Sequence, residues 1–317
     1  NASAIERLQR IAAVEWNSDP LHVLTKAELM DAARRCDILY CLLHDRVDRD
    51  VVEANPELRG IASTTITPAD IDIAAATARR IPVTVIPALL LNDATADLTW
   101  ALLLCVARRV AEGDRLMRSG TFPGSQSAYM EGGAVSGKTL GLIGMGGVGR
   151  AVARRAFGFS MRLLYHDPRR LESSDERALG LSWVSLEELL SESDFVSLHA
   201  RLTAETRHMM GDREFSLMRR SAYFINTARG PLVDEDALVL ALAGGRIAGA
   251  GLDVFEHEPR PHAELFKRSN VVMTPHVGSA VTELRAAMAN VAVDNILAIA
   301  EGRQPPNCWN PEVYRER

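Results

Sequence analysis

One segment constrains this chain more than any other: an apolar strand-like run, Thr139 to Ile143, ends in a glycine-rich turn, and an amphipathic run, Val148 to Phe157, follows at once. The turn carries Gly144, Gly146, Gly147 and Gly149. Glycines so spaced permit a tight turn, close approach of backbone to a ligand, and close packing of helix on strand. The helix N-terminus adds positive dipole for a pyrophosphate. A lone GxGxxG is a weak signal, but between a strand and a helix it has the context of a dinucleotide fingerprint, with a merely structural turn as the alternative.

Asp167, in Tyr165-His166-Asp167-Pro168, ends the next strand-like run, roughly 20 residues further on. A carboxylate there accepts hydrogen bonds from ribose hydroxyls and repels a 2′-phosphate, so NAD(H) is preferred. Arg169 and Arg170 keep NADP(H) possible if they lie beside such a phosphate; otherwise they are solvated surface charges.

With 317 residues the chain exceeds what one core usually supports, so two domains are expected. A net charge of -5 with both signs interspersed gives no basic stripe for nucleic acid and no polybasic membrane anchor. The apolar stretch Leu98 to Val106 is much shorter than the roughly 20 residues needed to span a bilayer, and no secretory leader is visible. Cys36, Cys41, Cys105 and Cys308 form no CxxC pair and no zinc-spaced cluster, so no metal is expected; reduced thiols in a cytoplasmic protein fit best. The chain starts at Asn1 without Met, so a trimmed N-terminus is expected.

The first hundred residues alternate. Ala12 to Trp16, Ile38 to Leu43, Leu58 to Ser63 and Val83 to Ile86 read as strands, with helices over Lys26 to Arg35 and Asp70 to Arg79. Asp93 to Met117 reads as one long helix, which either lies in the core of one subunit or pairs with its copy in a dimer. From Lys138 the pattern predicts six parallel strands: Thr139 to Ile143, Arg162 to Tyr165, Phe195 to Leu198, Ala222 to Ile225, Ala248 to Leu252 and Val271 to Met273. Helical runs separate most of them, which predicts a doubly wound sheet in 3-2-1-4-5-6 order. A last helix, Ala280 to Ala300, is expected to cross back onto the first domain.

Three segments follow the last three of these strands: Asn226-Thr227-Ala228-Arg229-Gly230, Asp253-Val254-Phe255-Glu256-His257-Glu258-Pro259 and Thr274-Pro275-His276-Val277-Gly278. Ligands of such sheets bind at the carboxyl ends of the strands. The three segments therefore bring a guanidinium, a carboxylate and an imidazole to one edge, over the half expected to hold the nicotinamide. An Arg can hold a substrate carboxylate and an imidazole can pass a proton, which suits reduction of a 2-oxo acid.

These motifs, together with GKTLGLIGMGGVG and INTARGPLVDEDAL, resemble the D-isomer-specific 2-hydroxyacid dehydrogenase family, which includes glyoxylate/hydroxypyruvate reductases, and the resemblance covers nearly the whole chain. It implies a Rossmann-type NAD-binding domain over 98–285 and a smaller, discontinuous flavodoxin-like α/β substrate domain over 1–97 and 286–317. It also implies that Arg229 binds the substrate carboxylate and carbonyl, that His276 is the acid/base, and that Glu258, five residues after Asp253, orients it. Glu256 competes for that last role or is a solvated neighbour. By the same resemblance Thr95, Val148, His199, Thr206, Thr227, Ala228, Asp253 and Gly278 lie near the cofactor, although Asp253 could simply cap a turn and His199 could be a satisfied strand-end histidine.

The chain also departs from the family. The family's GVGYDNID loop, whose amides meet the substrate carboxylate, is replaced by Thr65-Ile66-Thr67-Pro68-Ala69-Asp70-Ile71-Asp72, which leaves Ile66 and Thr67 as substrate-binding candidates and puts the substrate in doubt. Arg201 stands where the family commonly has Pro. The expected function is an NAD(H)-dependent interconversion of a small 2-oxo acid and its D-2-hydroxy acid, as in glyoxylate/hydroxypyruvate reductase, by a homodimer. The rivals are 2-ketogluconate or another 2-ketoacid and, from a different class, a nucleotide-sensing corepressor on the same fold.

Overall fold

The computed structural model describes residues 2–19, 22–43, 45–125 and 127–315; Asn1, where trimming is expected, lies outside them. The chain divides into two compact units, 1–90 with 281–317 and 91–280. The first division falls ahead of the expected 97/98 because the long helix that opens the second unit runs continuously from Asn92 into its core, and the second falls ahead of 285/286 because the helix Thr282–Ala300 belongs whole to the first unit.

In the first unit α1 (Ala2–Gln9) is followed by α2 (Lys26–Arg35), β1 (Ile38–Cys41), α3 (Arg49–Glu53), β2 (Gly60–Ser63), α4 (Ile73–Ala78) and β3 (Val83–Thr84). The strands form a parallel sheet in the order β1-β2-β3. Local chemistry sets the helix starts: the Thr25 hydroxyl and the Glu28 carboxylate form a capping box at α2, and the Asp72 carboxylate accepts from Ala75 N at 2.8 Å, so α4 begins later than the sequence pattern suggests. The helix Thr282–Ala300 joins this unit, its Val293 and Ile296 packing with Ala4, Leu8 and Ala62.

Ala12 to Trp16 is not a strand. The alternation there is misleading, because Ile11 and Trp16 are exposed and Glu15 pairs with Arg35 at 2.6 Å, so no buried face exists to drive pairing with β1.

The second unit opens with α5 (Asn92–Ala107) and α6 (Val110–Arg118), in place of the single helix expected over Asp93 to Met117. The break is at Arg109, whose φ of 54° lies in the left-handed region and whose guanidinium turns back onto Glu112 and Glu131 O. The apolar run Ala88–Ala107 is long enough to cross a membrane, but within it Trp100, Leu102, Leu103 and Val106 are buried in the core. α5 is a core helix of this unit, whereas α6 buries none of its residues.

Next come β4 (Thr139–Ile143), α7 (Gly147–Ala156), β5 (Arg162–His166), α8 (Ser173–Leu179), β6 (Leu181–Trp183), α9 (Leu186–Glu192), β7 (Phe195–Leu198), α10 (Asp212–Leu217), β8 (Tyr223–Asn226), α11 (Glu235–Ala243), β9 (Gly249–Leu252) and β10 (Val271–Met273). They build a seven-stranded parallel sheet ordered β10-β9-β8-β7-β4-β5-β6. β6 is not among the six strands that the pattern predicts; it is three residues long, sits at the edge and buries only Leu181, too little for a pattern to register. Its presence makes Phe195–Leu198 the fourth strand rather than the third, and so places it beside β4 instead of at the far edge. The topological switch point therefore lies between β4 and β7, where an open α/β sheet binds its ligand.

Candidate active site

The Gly-rich turn connects β4 to α7 at the switch point. A Cβ on Gly144, whose φ is 93°, would meet the His199–Ala200 peptide at 2.7 Å. One on Gly146 would meet nothing within 4 Å, so the backbone beside the α7 N-terminus faces open space. Gly147 packs on the Asn92 side chain and Gly149 on the Gly144 carbonyl. Asp167 follows β5 and accepts from Met145 N at 2.8 Å and Arg169 N at 2.9 Å, which aims the carboxylate at the turn. Arg170 is tied to Glu176 at 2.9 Å and lies over the Trp183 ring, while Arg169 and Arg201 are exposed. Thr206 closes a turn of its own, accepting from Thr203 N at 2.8 Å and donating to Arg201 O at 2.7 Å.

His199 follows β7 and shares a hydrogen bond with the Ser197 hydroxyl at 2.9 Å. Its Nδ1 is buried without a partner, and burial pushes the imidazole down to about 3. The unfolded chain thus binds a proton near pH 6.5 that the native state refuses until about pH 3. Stability from this group is complete above 6.5 and is lost as pH falls. We expect His199→Gln to flatten the acid side of the stability curve by about 2 kcal/mol at pH 4.5, read as the difference in unfolding free energy between pH 7 and 4.5; equal losses in both proteins would refute the neutral buried ring.

Beyond the other half of the sheet, three loops are tied into one body. Asn226, buried at the end of β8, accepts from Ala228 N at 3.0 Å and donates to Arg229 O at 3.1 Å, fixing the Thr227-Ala228-Arg229 turn. Arg229 Nη1 also reaches Ala228 O at 2.7 Å. The Thr227 hydroxyl shares a 2.7 Å bond with Thr99, which donates to Thr95 O at 2.8 Å, so α5 braces the same turn. Gly230 touches the Phe255–Glu256 peptide so closely that an added Cβ would lie 1.7 Å from Phe255 O.

Asp253, only 1% exposed, holds the third loop. Its carboxylate accepts from Thr274 Oγ1 at 2.6 Å, Val277 N at 2.8 Å and Gly278 N at 2.9 Å, three donors that flank His276 on both sides. These contacts hold the loop that carries His276. His276 itself has a φ of 52°, and its N–H donates to Asp253 O at 2.9 Å. The ring meets Glu258: Nδ1 lies 2.7 Å from Oε2, and because a carboxylate only accepts, Nδ1 carries the proton and Nε2 is left for a ligand. Glu258 Oε1 accepts from Phe255 N at 3.1 Å, so the carboxylate is fixed from both sides.

Glu256 is not a solvated neighbour. Its side chain is 9% exposed and accepts from His208 and from Arg207 at 3.2 Å. Burial alone would raise its carboxyl, but the hydrogen bonds from His208 and the Glu235 backbone, with the charges of His208 and His257, hold it low. Ile66 and Thr67 lie in the first unit, where the Thr65 hydroxyl donates to Thr67 O at 2.8 Å and bonds Ser63 Oγ at 2.7 Å, so a hydroxyl chain braces the loop. Asn226, Thr99, Ser197 and Glu235 are not singled out by the sequence; only their burial beside the motifs marks them.

A switch-point turn with open space beside a helix N-terminus, an acidic residue behind it and an imidazole–carboxylate pair over the other half is the arrangement of a nicotinamide-dinucleotide oxidoreductase. The open space at Gly146 and the unpartnered buried His199 Nδ1 fit a bound dinucleotide. The D-isomer specific 2-hydroxyacid dehydrogenase NAD-binding domain matches residues 100–278. The chain is 44% identical over 315 residues to the glyoxylate reductase of Thermococcus litoralis, covering 98% of this chain and 94% of that protein, and 47% identical over 295 residues to that of Korarchaeum cryptofilum, covering 92% and 88%. A crystal structure of a Thermus thermophilus protein matches at TM-score 0.89 and 43% identity, over 97% of this chain and 96% of that one. The D-lactate dehydrogenase of Aquifex aeolicus, complexed with NAD and lactic acid, matches at TM-score 0.80 and 28% identity, over 95% and 92%. The chain belongs to the D-isomer-specific 2-hydroxyacid dehydrogenase family. It is an NAD-dependent oxidoreductase that acts on a 2-oxo acid and the corresponding 2-hydroxy acid.

Proposed function

We propose that this chain is a glyoxylate reductase, with hydroxypyruvate as a second substrate of the same kind. NADH, when bound, would supply the hydride for the C2 carbonyl carbon. Arg229 pairs with the substrate carboxylate and polarises the carbonyl. His276 Nε2 gives a proton to the carbonyl oxygen, and Glu258 holds the ring through Nδ1 and offsets its charge. Asp253 keeps the His276 loop in place. Thr227, Ala228 and Gly278 on these loops, and Thr95 on α5, are proposed to border the nicotinamide, and Ile66 and Thr67 remain substrate-carboxylate candidates by resemblance alone. The observation that carries this reading is the 2.7 Å His276–Glu258 contact on the loop system that also holds Arg229.

Oxidation of NADH and NADPH against a panel of 2-oxo acids, 2-ketogluconate included, tests it. Glyoxylate or hydroxypyruvate is expected to give the highest kcat/KM. No turnover with any acid, together with tight NADH binding, would overturn it in favour of a nucleotide sensor.

Asp167 supports NAD(H) over NADP(H), and Arg169 leaves some NADP(H) use open. Asp167→Ser is expected to weaken NADH about tenfold more than NADPH, since it removes both the ribose acceptor and the repulsion of a 2′-phosphate. An unchanged ratio of dissociation constants would put the ribose contact elsewhere. The enzyme is proposed to be cytoplasmic, as its unclustered thiols suggest, and to work as a homodimer, because Val110 and Met117 of α6 and the nearby Phe122 are exposed. Sedimentation at the mass of one chain would remove that part.

A further inference from the structure

Glu235 is a titratable residue, 6% exposed, that the chemistry above does not use. It is the first residue of α11, yet the helix is already capped by Asp234, whose carboxylate accepts from Ala237 N at 3.0 Å. The Glu235 carboxylate instead reaches across to the loop that carries Glu258. Oε1 accepts from Glu256 N at 2.8 Å and Oε2 from His262 N at 2.9 Å, one donor on each side of Glu258. The contact is reciprocal, since Glu235 N donates to Glu256 Oε2 at 3.3 Å while the other oxygen of Glu256 holds His208 and Arg207.

We propose that Glu235 is a positioning residue for the Glu258–His276 pair: a buried carboxylate that clasps both ends of the 256–262 loop and so sets where Glu258 meets the imidazole. The inference rests on the proposed acid/base role of His276. A carboxylate suits the task because it is acceptor-only and can take two peptide N–H groups at once. Its charge is favoured at the α11 N-terminus. Losing the clasp orphans two N–H groups and lets the loop relax, and a displacement of about 1 Å at a proton-transfer pair costs roughly a hundredfold in rate. Glutamine keeps the volume but replaces one acceptor oxygen by an NH2 group that only donates, so it cannot hold both ends as the carboxylate does.

A second variant reaches the same clasp from the other side. His262 has a φ of -58°, which proline adopts without strain, so His262→Pro deletes one clasped N–H while His262→Ala deletes the same ring and keeps the N–H. The test reads the ring nitrogens of His276 by NMR in histidine-labelled protein at alkaline pH, assigned by their absence in His276→Ala, with Glu258→Ala marking the lost contact. Glu235→Gln and His262→Pro are expected to move the His276 signals at least halfway to that reference, and His262→Ala to leave them in place. Glyoxylate kcat should fall roughly ten- to a hundredfold in the first two, with the NADH dissociation constant within about twofold of wild type. Wild-type ring signals in both would overturn the proposal. Should the wild type fail to reduce glyoxylate, the substrate reading falls while the ring signals still decide the clasp. If Glu235→Gln does not fold, the proline and alanine pair decides it.

Discussion

His276→Ala should bind NADH as the wild type does and reduce glyoxylate slower by about 10²–10⁴-fold, the usual contribution of a positioned general acid. The fold of the loop does not depend on the ring: Asp253 holds it through Thr274, Val277 and Gly278, and the His276 N–H bond to Asp253 O is backbone. Glu258 keeps Phe255 N as a donor after the ring is gone. The backbone adds little to this, because residue 276 sits at a φ of 52°, a region that costs any residue with a Cβ about 1–2 kcal/mol, and histidine already bears that cost. His276→Asn is a control for the remainder, since asparagine and histidine are both enriched in the left-handed region. Both variants should lose turnover while keeping close to wild-type stability, measured by steady-state kinetics, NADH fluorescence titration and thermal unfolding. Near-normal reduction by either would remove His276 from the chemistry.

That outcome is readable in the sequence because its carriers are local. The turn at Gly144 to Gly149 and the His276 loop each sit within a few residues of a strand end; the strands β4, β8 and β9 are buried runs that announce themselves, and β10, although only Val271 is buried, is apolar at all three positions. What stays hidden depends on partners distant in sequence. Asp253 is adjacent to the motif, but its three donors come from residues 274 to 278, and Glu235 acts on residues 256 and 262. No periodicity encodes such contacts. β6 escapes for a different reason: one buried residue in three carries no alternation, and leaving it out displaces the order of every later strand. The break at Arg109 is hidden too, because arginine is a good helix former and its left-handed φ is imposed by Glu112 and the Glu131 carbonyl.

The contact that joins the Arg229 turn to the Glu258 loop yields the second large effect. Gly230 is buried, and a Cβ there would lie 1.7 Å from Phe255 O, 1.9 Å from Phe255 C and 2.5 Å from Glu256 N. All three are backbone atoms of a loop held at Asp253, at Glu256 and at His262, so no flexible side-chain end can yield. Gly230→Ala must therefore push the two loops apart, at a cost of about 2–3 kcal/mol for overpacking, which corresponds to a fall of roughly 5–10 °C in Tm for a unit of this size. The same displacement moves Arg229 away from Glu258 and His276, and kcat/KM for glyoxylate should drop about a hundredfold. NADH affinity should change much less, because the turn at Gly144 to Gly149 rests on His199 and Asn92, outside the strained contact. A variant with wild-type Tm and kcat/KM would show that the loops are free to part, and the rigid coupling of Arg229 to the imidazole–carboxylate pair would fall with it.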